Sequence, residues 1–334
     1  MLRASVLQEI YLSLPGTSQI VPGLSYFGPG DTYITFTGTS SPLGAEANPA
    51  FRLPIYANGP PVEPSPSGAA LSFAVHNPEG LETILLIHGG FSNRTDWDLV
   101  VPLLTAKNYH LLVPDLPGHG DSLAIQPFNV DLAAELLLPL IKTQAHNGKA
   151  HIVGMSLGAH VAASLAALGG PEHISSAFGS GFNTFLPRRA VAAFFPPLIY
   201  TLQRTTGMIS APVTEWTRLR KGEGTLALCE EVVHTLTDGR TLKDIHVRSL
   251  VVAATRETWL PKDKIESARQ LFRAVVGGRE NGSRVVQCRR IWHAWCAQEP
   301  QWFANAVDDW VNGRELAEMF EDIEMEETVA TTAD

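Results

Sequence analysis

Three side chains of this 334-residue chain have the types and order that nucleophilic catalysis needs: a serine in Gly154-Met155-Ser156-Leu157-Gly158, then Glu257, then His293. A serine hydroxyl is a poor nucleophile near neutral pH. An imidazole must take its proton, and an acid must fix the tautomer of that imidazole and stabilise the cation it becomes. The glycine-flanked serine alone has about one chance in seven of arising in a chain this rich in glycine and serine, so its flanks decide. Residues 150–153, Ala-His-Ile-Val, read as a strand, and residues 159–168 read as a helix that stops at Gly169-Gly170-Pro171. A strand, a tight turn and a helix would lift the serine hydroxyl above a sheet, at the positive end of the helix.

The elements that must position the other two follow from the hydrophobic pattern. Apolar runs at 84–87, 111–113, 150–153, 174–178, 250–253 and 284–286 alternate with helix-length stretches. Continuous apolar runs suit strands covered on both faces, and helix-length spacers imply parallel crossovers. The expected fold class is α/β: a mostly parallel sheet with helices on both faces. Open sheets of this kind gather ligands past the carboxyl ends of their strands. The fifth run leads into a loop holding Glu257, and the sixth into a loop holding His293. Asp263 is a second acid within reach, but its place near a helix start favours a capping role.

The alternation fails between 184 and 244, too long for a plain connection. A helical lid insertion is expected there, with Phe194, Phe195 and Tyr200 as an apolar roof over substrate or, equally, as the small core of the insertion itself. The resulting division is an irregular Gly/Pro-rich arm with short β-prone runs (1–67), the first part of the core (68–183), the lid (184–244), the second part of the core (245–313) and an acidic tail (314–334).

These landmarks together resemble the serine-nucleophile branch of the α/β-hydrolase superfamily over residues 70–313, the lid apart. His88-Gly89-Gly90-Phe91 resembles its oxyanion loop and residues 114–122, Pro-Asp-Leu-Pro-Gly-His-Gly-Asp-Ser, its next strand-end loop. The resemblance implies Ser156 as nucleophile, His293 as base and Glu257 as acid, although aspartate is more frequent at the acid position. It also implies an oxyanion hole made by the backbone N–H groups of Leu157 and Gly90, with Phe91 as the alternative to Gly90. Met155 stands where a histidine often precedes the nucleophile and is expected to shape the pocket. His88 and His119 are expected to organise their loops, His160 to pack beneath the nucleophile, and Ser122 to be a turn residue.

The implied activity is hydrolysis of an ester, thioester or lactone with apolar bulk, through an acyl-enzyme. A further similarity, of the Pro-rich arm and lid to hydrolases of fungal secondary metabolism, implies a polyketide-like substrate. The same triad could instead transfer the acyl group, or cleave or rearrange carbon–carbon bonds, and the fold also permits a non-catalytic ligand-binding protein. Hydrophobic residues make up 45% of the chain and charged ones 18%, the balance of an ordinary globular protein. Of the net charge of −9, seven units sit in residues 314–334, where eight acids face one arginine, so the tail reads as a solvated, partly frayed end. No basic patch points to nucleic acid, no histidine spacing points to a metal, and no cofactor is expected. No stretch reads as a membrane span or a signal peptide, so the expected location is cytoplasmic, with a small molecule as partner and a homodimer allowed. Cys229, Cys288 and Cys296 are too scattered for a disulfide framework and are expected as reduced core thiols.

Overall fold

The computed structural model describes residues 33–34, 53–54, 71–184, 197, 201, 225–237, 241–257 and 262–325. The chain divides into two units, Met1–Ala57 and Asn58–Asp334. Within the first, β1 (Tyr33–Ile34) pairs antiparallel with β2 (Leu53–Pro54).

The second unit is built on an eight-stranded sheet. In chain order the strands are β3 (Phe73–His76), β4 (Thr83–Ile87), β5 (His110–Pro114), β6 (Ala150–Met155), β7 (Ile174–Ser180), β8 (Ser249–Ala254), β9 (Arg284–Cys288) and β10 (Glu321–Asp322). Their spatial order is β10-β9-β8-β7-β6-β4-β5-β3. Neighbours from β5 to β9 pair in parallel, while β3 and β10 close the two edges antiparallel. All six apolar runs are strands. The two edge strands carry no such run and escape the pattern.

The period-2 geometry of a strand sends alternate side chains to opposite layers. Leu85, Ile87, Ile152, Val251 and Val285 enter one core with α2 (Val130–Gln144), α3 (Leu157–His173) and α5 (Ile265–Arg273). Ile84, Leu86, Val153, Met155, Val252 and Val286 enter the other, with α1 (Val101–Ala106), α6 (Trp295–Gln298) and α7 (Pro300–Val311). The expected helix stop near 169–171 is a break: Gly170 leaves helical geometry at φ 54° and Pro171 follows it.

Of the insertion expected between β7 and β8, the described part includes one helix, α4 (Leu226–Thr237). Of the tail, read as a solvated, partly frayed end, the described residues 314–325 include the docked strand β10. Glu321 pairs with Gln287 and Asp322 with Val286, while Phe320 and Ile323 are buried beside them. Its described charges are exposed while Phe320 and Ile323 are buried, so net charge alone hid a docked edge strand. The three cysteines are buried and form no disulfide. Among the described residues no helix is long and apolar enough to cross a membrane, and no cluster of His, Cys, Asp and Glu is arranged to hold a metal ion.

Candidate active site

Ser156 sits where β6 turns into α3, and its backbone shows how tight the turn is. It holds φ 56° and ψ −117°, a region that costs a non-glycine residue of order 1–3 kcal/mol unless the surroundings enforce it. The flanking glycines provide the enforcement. A Cβ at Gly154 would lie 2.2 Å from the carbonyl oxygen of Gly158, and one at Gly158 would lie 2.2 Å from that of Ile87. Only bare backbone lets α3 press this closely on β6 and β4. Ser156 occupies the N-cap position of α3, yet its side chain makes no capping bond, while its N–H donates to the Ser180 carbonyl at 2.8 Å.

His293 follows β9, as expected, and its Nδ1–H donates to Asp263 Oδ1 at 2.5 Å. Gly181, at φ 72° just past β7, holds ring and serine together: a Cβ there would lie 2.7 Å from His293 Cε1 and 3.4 Å from the Ser156 nitrogen. Burial works against the charged imidazolium, but the Asp263 charge and hydrogen bond outweigh it and hold the pKa of His293 above the ordinary histidine value.

The acid expected at Glu257 is a correction. Its side chain is 82% exposed and pairs with Lys262. Glu257 is three residues past β8, on chain heading into solvent. Asp263 returns to the strand end instead, donating its N–H to the Ala254 carbonyl at 2.9 Å and accepting the Ala254 N–H on Oδ2 at 2.8 Å. Nor is it the helix cap its position suggested. The N-cap of α5 is Lys264, which makes no side-chain capping bond, and the Asp263 carboxylate is turned toward the strand ends.

The loop after β4 brings Gly90 to the start of α3: a Cβ on Gly90 would meet Leu157 Cβ at 3.4 Å and Val232 Cγ1 at 3.1 Å. Among the described residues, no acceptor takes the backbone N–H of Gly90 or of Leu157. Phe91, the alternative donor, stands at φ 61° with its N–H directed at His119 Nε2, 3.4 Å away. His119 in turn donates Nδ1–H to the Pro117 carbonyl at 2.9 Å. His88 donates Nδ1–H to the Gly89 carbonyl at 2.7 Å and accepts the Leu116 N–H on Nε2 at 2.9 Å. Each ring therefore ties the loop after β4 to the loop after β5 as a neutral imidazole. Burial lowers the His88 pKa to about 4 and the His119 pKa to about 3. Arg94 adds a third tie, its N–H donating to Asp115 Oδ1 at 2.7 Å.

Other expectations sort by geometry. Ser122 Oγ accepts the Ser72 N–H, as a turn residue can. His160 lies a turn beyond Ser156, stacked on Phe182 with ring centroids 4.0 Å apart. Met155, expected to shape the pocket, is 3% exposed and packed in the α1/α7 core, because the residue before the turn still obeys the strand alternation and points below the sheet. Phe194, Phe195 and Tyr200 lie outside the described residues. In their place α4 provides Leu228 against Gly118 and Val232 against Gly90. Glu231 anchors that helix by accepting the Phe128 N–H at 2.7 Å. Sequence reasoning missed Gly181 and Asn183, both just past β7, where glycine and a polar residue after an apolar run were the available signals.

A mostly parallel sheet flanked by helices, with a strained serine past β6, a carboxylate at the end of β8 and a histidine past β9, is the architecture of an α/β-hydrolase. Residues 84–310 match the model of the alpha/beta hydrolase family, and the chain belongs to that family. It is 46% identical over 246 residues, 74% of this chain and 85% of the other, to an AB hydrolase superfamily protein of Gibberella zeae. A shorter likeness, 40% identity over 90 residues, spans 27% of this chain and 33% of a pimeloyl-[acyl-carrier protein] methyl ester esterase of Neisseria meningitidis. The solved structure of an esterase, EaEST, from Exiguobacterium antarcticum matches with a TM-score of 0.59 at 15% identity, covering 76% of this chain and 99% of that one, a likeness of fold.

Proposed function

We propose that the chain is a serine hydrolase acting on an ester-type carbonyl, ester, thioester or lactone, through an acyl-enzyme. The observation that carries this reading is Ser156 in a strained turn beside a histidine whose far nitrogen is held by a buried carboxylate. Ser156 Oγ attacks the carbonyl carbon while His293 Nε2 takes its proton. Asp263 balances the imidazolium, and the carbonyl oxygen, now anionic, is received by the N–H groups of Gly90 and Leu157. Collapse of this intermediate expels the leaving group, which takes the proton from His293. Water then repeats the cycle on the acyl-serine and releases the acid. Removing one preorganised oxyanion donor typically costs about 3 kcal/mol of the barrier. The apolar side chains of Leu228 and Val232 against the loops of the site support a substrate with apolar bulk. The methyl ester named for the Neisseria relative supports the ester class.

Fluorophosphonate labelling tests the reading. Wild-type protein should label and Ser156→Ala should not. Asp263→Asn should label far more slowly, whereas Glu257→Gln should label like wild type. Equal labelling of the Ser156→Ala variant refutes the nucleophile, and a fast Asp263→Asn variant refutes the acid. Product analysis with alcohol or amine acceptors then separates hydrolysis from acyl transfer.

A further inference from the structure

Asp263 is held by more than the histidine it faces. Its Oδ1 accepts from His293 Nδ1 at 2.5 Å and from Asn183 Nδ2 at 2.8 Å, while Oδ2 accepts the Ala254 N–H. Asn183 is itself fixed at two points. Its Oδ1 accepts the Lys264 N–H at 2.8 Å, which settles the amide orientation: the nitrogen, not the oxygen, must face Asp263. Its backbone carbonyl lies 3.1 Å from His160 Nε2, on the helix that begins beside Ser156. Asn183 is 7% exposed and follows β7, the strand lying between the strand that carries the nucleophile and the strand whose loop carries the acid.

We propose that Asn183 is a positioning residue for catalysis, locking the Asp263 carboxylate in the one rotamer that meets His293 and coupling that lock to the nucleophile helix through His160. This rests on the serine-hydrolase reading above. The chemistry favours an amide at this place. A carboxylate with a single donor on Oδ1 can rotate away from the imidazole. A second donor from a rigid neutral group holds the rotamer and leaves the charge that stabilises the imidazolium intact. A charged donor in its place would neutralise Asp263 and strip His293 of its partner. The same bond draws electron density from Oδ1, so its loss should leave a stronger partner for the imidazolium and make His293 harder to deprotonate.

The experiment is a double-mutant cycle on the full chain between Asn183→Leu and Asp263→Asn, read by p-nitrophenyl butyrate hydrolysis, fluorophosphonate labelling rate and thermal melting. Asn183→Leu alone should lower kcat roughly 10- to 100-fold, the range that loss of a hydrogen bond to a charged group gives. KM should change little, and the alkaline-rising limb of kcat/KM should move up by about half a pH unit or more. In the Asp263→Asn background the same change should have almost no further effect, because the residue acts through that carboxylate. If Asn183→Leu does not fold, the isosteric Asn183→Asp carries the test: its added charge should move the limb upward and slow labelling. Effects that multiply across the cycle, or a pH limb that stays in place while activity falls only with melting temperature, overturn the proposal. An Asp263→Asn variant of undiminished activity would instead overturn the triad reading on which it rests.

Discussion

Gly181 offers a direct test of how tightly the base is held. Replacing it with alanine adds one methyl group at a point 2.7 Å from His293 Cε1 and 3.0 Å from Nδ1. Ordinary contact begins near 3.4 Å, so the ring must retreat by about 0.7 Å. It cannot retreat without lengthening its bond to Asp263 or leaving the nucleophile. A displacement approaching 1 Å in a catalytic group costs about 100-fold in rate, so Gly181→Ala should lose between one and two orders of magnitude in kcat. The φ of 72° adds strain of roughly 1 kcal/mol for a residue with a Cβ, which lowers Tm by only about 2–4 °C in a domain this large. Steady-state hydrolysis of p-nitrophenyl butyrate beside a melting curve separates the two effects. A folded variant with wild-type kcat would show that His293 does not act from the position described and would refute the geometry of the base.

Further outcomes follow from the charges and the core. His293 must be neutral to accept the serine proton, and its pKa stands above 6.5, so kcat/KM should rise through a limb above that pH. In Asp263→Asn the two raising causes vanish while burial persists, so the residual activity should titrate below 6.5, and a limb that stays put argues against the pair. His88, His110 and His151 have pKa values of about 4 and His119 of about 3, all depressed first by burial. Between pH 6.5 and 4 the unfolded chain binds more protons at these sites than the folded one. Their contribution to stability is therefore complete above 6.5 and is lost on acidification, by about 1.4 kcal/mol per histidine per pH unit at most. Urea unfolding at stepped pH should show this slope, and a flat profile contradicts the buried neutral rings. Phe320→Ala should cost about 3 kcal/mol by the same method, whereas the exposed Glu318→Gln should change stability by less than about 0.5. Equal effects would mean that the tail is not docked.

The six inner strands were legible because each sends apolar residues into the layers on both faces of the sheet. The edge strands were not, since β3 is four residues long and β10 is Glu-Asp, two acids whose side chains pair with Gln287 and Arg284 rather than entering the core. Ser156 and His293 could be located from sequence because each follows a strand, one in a glycine turn, the other in the loop after β9. The acid was misassigned for the opposite reason. Asp263 reaches the strand end nine residues after Ala254 by folding back upon it, a closure that involves backbone bonds and leaves no mark on residue spacing. Asn183 left only the mark of a polar residue after an apolar run, because its bond to Asp263 is made with chain eighty residues away.

The close approach of Gly158 to Ile87 also bears on how such a site can change. The strand that ends at Ile87 leads into the loop bearing Gly90, and the helix that Gly158 belongs to begins at Leu157. The close backbone approach, which leaves a Cβ on Gly158 only 2.2 Å from the Ile87 carbonyl oxygen, thus sets the separation of the two N–H groups proposed as oxyanion donors without any side chain taking part. Pocket residues such as Leu228 and Val232 can vary in size and shape while the donor spacing stays fixed. The seam between strand and helix is therefore a gauge block, and substrate preference can drift around it with the catalytic distances held constant.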